Sequence, residues 1–139
     1  EATAFGALTI IQRMEEHGIS IDRVVNTGGL SIKNATLMQI YADILGRPLQ
    51  VAASEQTCAL GAALFGAVCG GSVGLDEVQR NCCRMRDVEY LPIPENEAVY
   101  REIYALYRTL HDAFGVGDWQ GRLSHVMKEL IAIRQRQRG

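Results

Sequence analysis

The chain has almost no surplus charge. Its 14 basic and 16 acidic side chains leave a net charge of −2. A general nucleic-acid binder neutralises phosphates with a basic surface, so that class is excluded. No apolar run approaches the ~18 residues of a membrane-spanning helix, so no membrane partner is expected. The four cysteines, Cys58, Cys69, Cys82 and Cys83, form no C-x-x-C pair. No histidine stands at ligand spacing from them, so no metal site is expected. Plain reduced thiols fit a cytoplasmic setting. Cys58 and Cys69 fall in an apolar stretch and are expected as small core residues. A start methionine is also missing. Glu1-Ala2-Thr3-Ala4 already reads as helix interior, so we expect a piece of a longer protein.

What is present suffices for one core. The chain has 139 residues, 47% of them hydrophobic, within the ordinary range for a globular domain. Its most informative stretch is Val24-Val25-Asn26-Thr27-Gly28-Gly29-Leu30-Ser31-Ile32-Lys33-Asn34. A short apolar run meets a glycine pair, and a helical pattern follows. Two glycines have no Cβ to block an approach and can adopt positive φ. A helix start beyond them offers free N–H groups and a positive dipole end. On spacing alone, the pair is either a tight turn or a place for backbone to meet a phosphate.

Around this stretch the pattern alternates. Ala2 to His17 reads as a helix with Phe5, Leu8, Ile11 and Met14 on one face, closed by Gly18. Ile19 to Thr27 carries a first strand centred on Arg23 to Asn26, covered on both faces. A second helix is expected from Lys33 to Leu45, stopped by Gly46 and Pro48. Leu49 to Ala53 is a second strand. Ser54 is expected to cap a third helix, Gln56 to Cys69, with Glu55 in its first turn. That helix is apolar all round, so burial is expected. Gly70-Gly71-Ser72 ends it.

Val73 to Glu89 mixes charges and gives no clear element, and Tyr90 to Pro94 reads as extended. A fourth helix from Glu95 carries Val99, Ile103, Leu106 and Leu110, with Tyr100, Tyr104 and Tyr107 alongside as packing residues. Gly115 and Gly117 break it, and Asp118 is expected to cap a last helix. The order helix, strand, helix, strand, helix predicts an α/β layer with a parallel strand pair. Two strands make a poor sheet, so the rest of the sheet is expected upstream.

Gly28-Gly29-Leu30-Ser31-Ile32-Lys33-Asn34, then Leu37-Met38-Gln39 and Ala42-Asp43-Ile44-Leu45-Gly46-Arg47-Pro48, resembles the C-terminal lobe of the FGGY carbohydrate kinases. Glu55-Gln56-Thr57-Cys58-Ala59-Leu60-Gly61 and the opening Glu1 to Gly6 fit the same family. Lys33-Asn34 and the tail look most like its L-ribulokinase branch. The resemblance implies an α/β fold, a partial actin-like (ribonuclease H-like) ATPase lobe with a helical C-terminal extension. It divides the chain into a lobe at 1–75, a connector at 76–94 and an extension at 95–139. It implies a kinase moving the γ-phosphoryl of ATP to a pentulose, with Mg²⁺ on the phosphates. Gly28 and Gly29 would meet the nucleotide, and Lys33 or Asn34 would reach its adenine side.

No catalytic residue falls within the matched motifs. The catalytic Asp, the sugar pocket and the first phosphate loop lie upstream in that family. The missing N-terminal lobe is therefore the expected partner, and the piece alone is expected to be inactive. A cut face could also drive homo-oligomers. The competing reading is a non-catalytic actin-like domain that binds a nucleotide or a protein.

Several residues have plainer roles. Lys33 near a positive dipole end mildly favours an anion nearby, and Asn34 is compatible with a helix start. Asp43 is expected to face solvent or pair with Arg47. Arg134 to Arg138 is expected to stabilise a helix end.

Overall fold

The fold was derived from a computed structural model, which describes residues 1–71 and 74–138. Ten elements follow in order: α1 (Ala2–Glu16), β1 (Val24–Asn26), α2 (Gly29–Lys33), α3 (Ala35–Leu45), β2 (Leu49–Ala52), α4 (Thr57–Cys69), α5 (Leu75–Cys82), β3 (Met85–Tyr90), α6 (Pro94–Gly115) and α7 (Val126–Arg136). Ser72, expected to end α4, lies outside the described residues.

The sheet has three strands in the order β1-β2-β3, one more than the sequence suggested. β1 and β2 run parallel, pairing Val24 with Leu49 and Asn26 with Val51. β3 runs antiparallel to β2, with an irregularity between Gln50 and Ala52. Residues 76–94, expected as a connector, thus contain all but the first residue of α5 and the whole of β3. Alternation shapes β2: Leu49 and Val51 are buried on one face, and Gln50 and Ala52 are half-buried on the other. Burying each of the first two side chains contributes about 1.5–3 kcal/mol.

The face of Leu49 and Val51 meets Ile11 of α1 and Met38, Ala42 and Leu45 of α3. Gly46 ends α3 in the left-handed region at φ 62°, its N–H bonded to the Ala42 carbonyl at 2.9 Å. This is the stop that Gly46 and Pro48 predict. A second cluster joins Ala4, Phe5 and Ile44 to the tyrosines of α6. Phe5 packs edge-on against Tyr100 and tilted against Tyr104 and Tyr107, with centroids 5.5–6.2 Å apart, the packing role expected of them. A third cluster, Leu106, Val126 and Ile133, fastens α7 to α6.

Several expectations are overturned. Met14 is 41% exposed, on the outer side of α1 with Ile10. α4 is not buried: only Leu64 is, and Phe65 is 62% exposed. Cys58 and Cys69 are exposed thiols rather than core residues. The helix apolar all round therefore has one side without a neighbour among the described residues. Ser54 accepts only a turn bond from the Gln56 N–H at 3.2 Å, and α4 begins at Thr57 with no acid in its first turn. Asp118 caps nothing, because α7 begins at Val126 with His125 before it.

Asp43 departs most. It is 2% exposed rather than solvated. Its Oδ1 accepts from Gln39 Nε2 and from the Ile93 N–H, and its Oδ2 from Asn96 Nδ2, each at 2.8 Å. The carboxylate therefore ties α3 to the residue that opens α6. Arg47 turns elsewhere, pairing with Glu15 at 2.6 Å and donating to the Ile21 carbonyl.

Candidate functional site

β1 delivers Thr27 and Gly28 to the carboxyl end of the parallel strand pair. Open α/β sheets bind ligands at that end. Gly28 lies at φ 91°, ψ 167°, a conformation side chains rarely adopt. The chain then turns directly into α2. A Cβ placed on Gly28 or Gly29 would meet nothing within 4 Å, so the space beside the pair is open.

Three side-chain hydrogen bonds hold this turn and its flanks. Ser31 is 5% exposed, and its Oγ donates to the Gly28 carbonyl at 2.7 Å. Asn34 separates α2 from α3 as the cap of α3. Its Oδ1 accepts from the Leu37 N–H at 2.9 Å, the helix-start role its residue type allows. Asn26 donates from Nδ2 to the Met38 sulfur at 3.3 Å, joining the strand end to the core helix.

Lys33 is exposed and makes no ion pair among the described residues. It is the last residue of α2, not the first of a helix. A cation is favoured there, so the dipole argument for an anion beside Lys33 falls. Sequence reasoning missed the break at Asn34 because Leu30 to Leu45 carries no glycine or proline to mark it.

Gly28, Gly29, Lys33 and Asn34 thus stand together along one turn and the short helix after it. The group offers open backbone and one free ammonium. It contains no acid or base that could take a proton from a hydroxyl. The described residues include no cluster of three metal-ligating side chains. Perturbed titrations lie far along the chain, on α6. Burial, then the charges of Glu1 and Asp43, push the Tyr100 phenol up. The His111 hydrogen bond, with Arg108 nearby, holds the Asp112 carboxyl below the usual carboxylate range.

Beside the turn, a slot of about 220 Å³ opens between the sheet and α4, lined by Val25, Thr27, Ala52, Leu60, Leu64 and Met85, among others. A larger hollow of about 400 Å³ lies between α6 and α7, away from the glycine pair. Its walls carry no residue of the turn.

Residues 1–69 match the C-terminal domain of the FGGY family of carbohydrate kinases. The chain is 44% identical over 97% of its length to a ribulokinase of Anoxybacillus flavithermus, of which it covers 25%. It is 46% identical, with the same coverage, to a ribulokinase of Geobacillus thermodenitrificans. The chain therefore spans about a quarter of the length of the curated relatives it matches. Among solved structures, a xylulose kinase from Rhodospirillum rubrum superimposes on 81% of this chain and 22% of its own, with a TM-score of 0.65 and 26% identity. The fold is a partial actin-like ATPase lobe with a helical C-terminal extension. Through its first 69 residues, and the likeness that continues into its tail, the chain belongs to the FGGY family of carbohydrate kinases.

Proposed function

We propose that this chain is the C-terminal part of an ATP-dependent pentulose kinase of the ribulokinase kind, and that its glycine turn forms one wall of the nucleotide site. The observation that carries the reading is the open backbone at Gly28 and Gly29, with Gly28 held in a conformation that side chains rarely adopt. The relatives' names supply the sugar class. Residues 1–75 would be lobe and 95–139 extension.

ATP fits what the turn offers, because phosphate oxygens need donors and room, and both are present. The nucleotide brings the phosphoryl group to be transferred. This chain's task is to bind and orient it, which is much of what such a transfer needs. Of the two candidates for the adenine side, we assign Lys33. Asn34 has its carbonyl oxygen committed to the cap. The donor set does not fit Mg²⁺, so no part in holding that ion falls to these residues. A proton acceptor for the sugar hydroxyl must come from elsewhere in the kinase, and the chain alone is inactive. Reduced thiols and nucleotide use agree with a cytoplasmic setting. No helix of the described residues is long and apolar enough to cross a membrane.

The test uses Gly29→Ala in the full-length polypeptide. The new methyl group fits the fold, because the space is empty, but it intrudes on a phosphate. KM for ATP should rise about tenfold or more, the equivalent of one lost charge-assisted hydrogen bond. An unchanged KM for ATP would remove the turn from the nucleotide site. Nucleotide binding without turnover on any pentulose would favour a non-catalytic actin-like domain instead.

A further inference from the structure

We infer that Ser31 is a positioning residue of the nucleotide site, fixing the orientation of the peptide between Gly28 and Gly29. The inference rests on the reading that this turn meets the nucleotide. A peptide plane flanked by two glycines is the easiest in the loop to turn over, since neither neighbour has a Cβ to resist the change. Such a flip would exchange the directions of the Gly28 carbonyl and the Gly29 N–H. A phosphate would then meet a carbonyl oxygen instead of a donor.

Ser31 opposes the flip. Its hydroxyl donates to the Gly28 carbonyl at 2.7 Å, from a side chain only 5% exposed. In a trans peptide the C=O and N–H point in opposite directions. Holding the carbonyl toward Ser31 therefore turns the Gly29 N–H away from it. Gly29 is the first residue of α2, so that N–H has no acceptor within the helix. Polar burial is rare here. Ser31 and Asp43 are the buried polar residues among those described, and Asp43 has a structural bond for each of its oxygens. The Ser31 bond stays within four residues and joins no two distant elements. Its effect is confined to the glycine turn.

The experiment compares Ser31→Ala, Ser31→Thr and Ser31→Val in the full-length kinase. Thr and Val have nearly the same shape, but only Thr keeps the hydroxyl. A neutral hydrogen bond contributes about 1 kcal/mol net, so KM for ATP should rise about fivefold in the Ala and Val variants. KM for the sugar and the melting temperature should stay close to those of the parent, and Thr should restore KM for ATP. Gly29→Ala serves as the reference. If Gly29→Ala raises KM for ATP and the Ala and Val variants do not, the positioning role is refuted and the nucleotide reading stands. If Gly29→Ala also has no effect, the nucleotide reading itself fails. If Thr and Val change both KM values and the melting temperature alike, Ser31 serves packing alone and the inference is overturned.

Discussion

Replacing Asp43 by alanine should loosen the extension from the lobe. The carboxylate is buried and accepts three hydrogen bonds, two of them from the start of α6. These donors fare differently once it is gone. Gln39 keeps the Leu91 carbonyl at 2.8 Å. Asn96 is exposed and can turn its amide to water. The Ile93 N–H is fixed in the backbone and loses its acceptor. An orphaned donor in this part-buried position costs about 1 kcal/mol, and the charge-assisted bonds lost raise the total toward 2–3. Relief from burying a charge offsets part of this. At about 4 °C per kcal/mol for a domain of this length, melting should fall by about 10 °C.

Asp43→Asn should cost less, about 1 kcal/mol, because its oxygen can still accept from Ile93 while the Asn96 amide flips to match. Circular dichroism gives the melting temperature. Hydrogen exchange at Ile93 and the first turn of α6 locates the damage. Equal effects of the two variants, or a melt within about 2 °C of the parent for Asp43→Ala, would refute the latch.

Gly28→Ala should destabilise the chain by about 1–3 kcal/mol in urea titration, because of the positive φ, whereas Gly29→Ala should be neutral or slightly stabilising. Equal costs for the two would contradict the conformation described. The Asp112 carboxyl should titrate below its ordinary value of 3.8, since the His111 ring N–H donates to it and Arg108 lies near. A lowered folded value means that this pair supports the fold above the ordinary carboxylate pKa. That support is lost as pH falls through the lowered one. Carbon-detected NMR titration should show the value moving up in His111→Ala, and an unmoved Asp112 would rule out the pairing.

The elements that organise the lobe were readable because each carried a local signal. Val24 and Val25 marked β1, the spacing of Leu37, Met38, Tyr41, Ile44 and Leu45 marked α3, and Gly46 marked its end. β3 was not readable. As an edge strand with both faces wet, Met85 to Glu89 is exposed throughout, so no alternation is imposed on it. Asp43 was misread because two of its three partners, Ile93 and Asn96, stand about 50 residues further on, and nothing beside it announces them. The glycine pair was visible, but Ser31 was not. A serine in that position has no periodic pattern, and only the bond to Gly28 reveals its role. The break at Asn34 removed the electrostatic case for Lys33 and left a simpler one, that it is exposed and free.

The exposure of α4 has a further consequence. Most helices carry one apolar stripe, and that stripe fixes their rotation about their own axis. α4 has no such stripe, and Leu64 is its single buried side chain. Its sequence does not specify which side must face the sheet. The fold settles it through Thr57, Leu60, Gly61 and Leu64, which face the slot against the sheet and leave Ala59, Ala62, Ala63 and Phe65 turned outward for a partner surface.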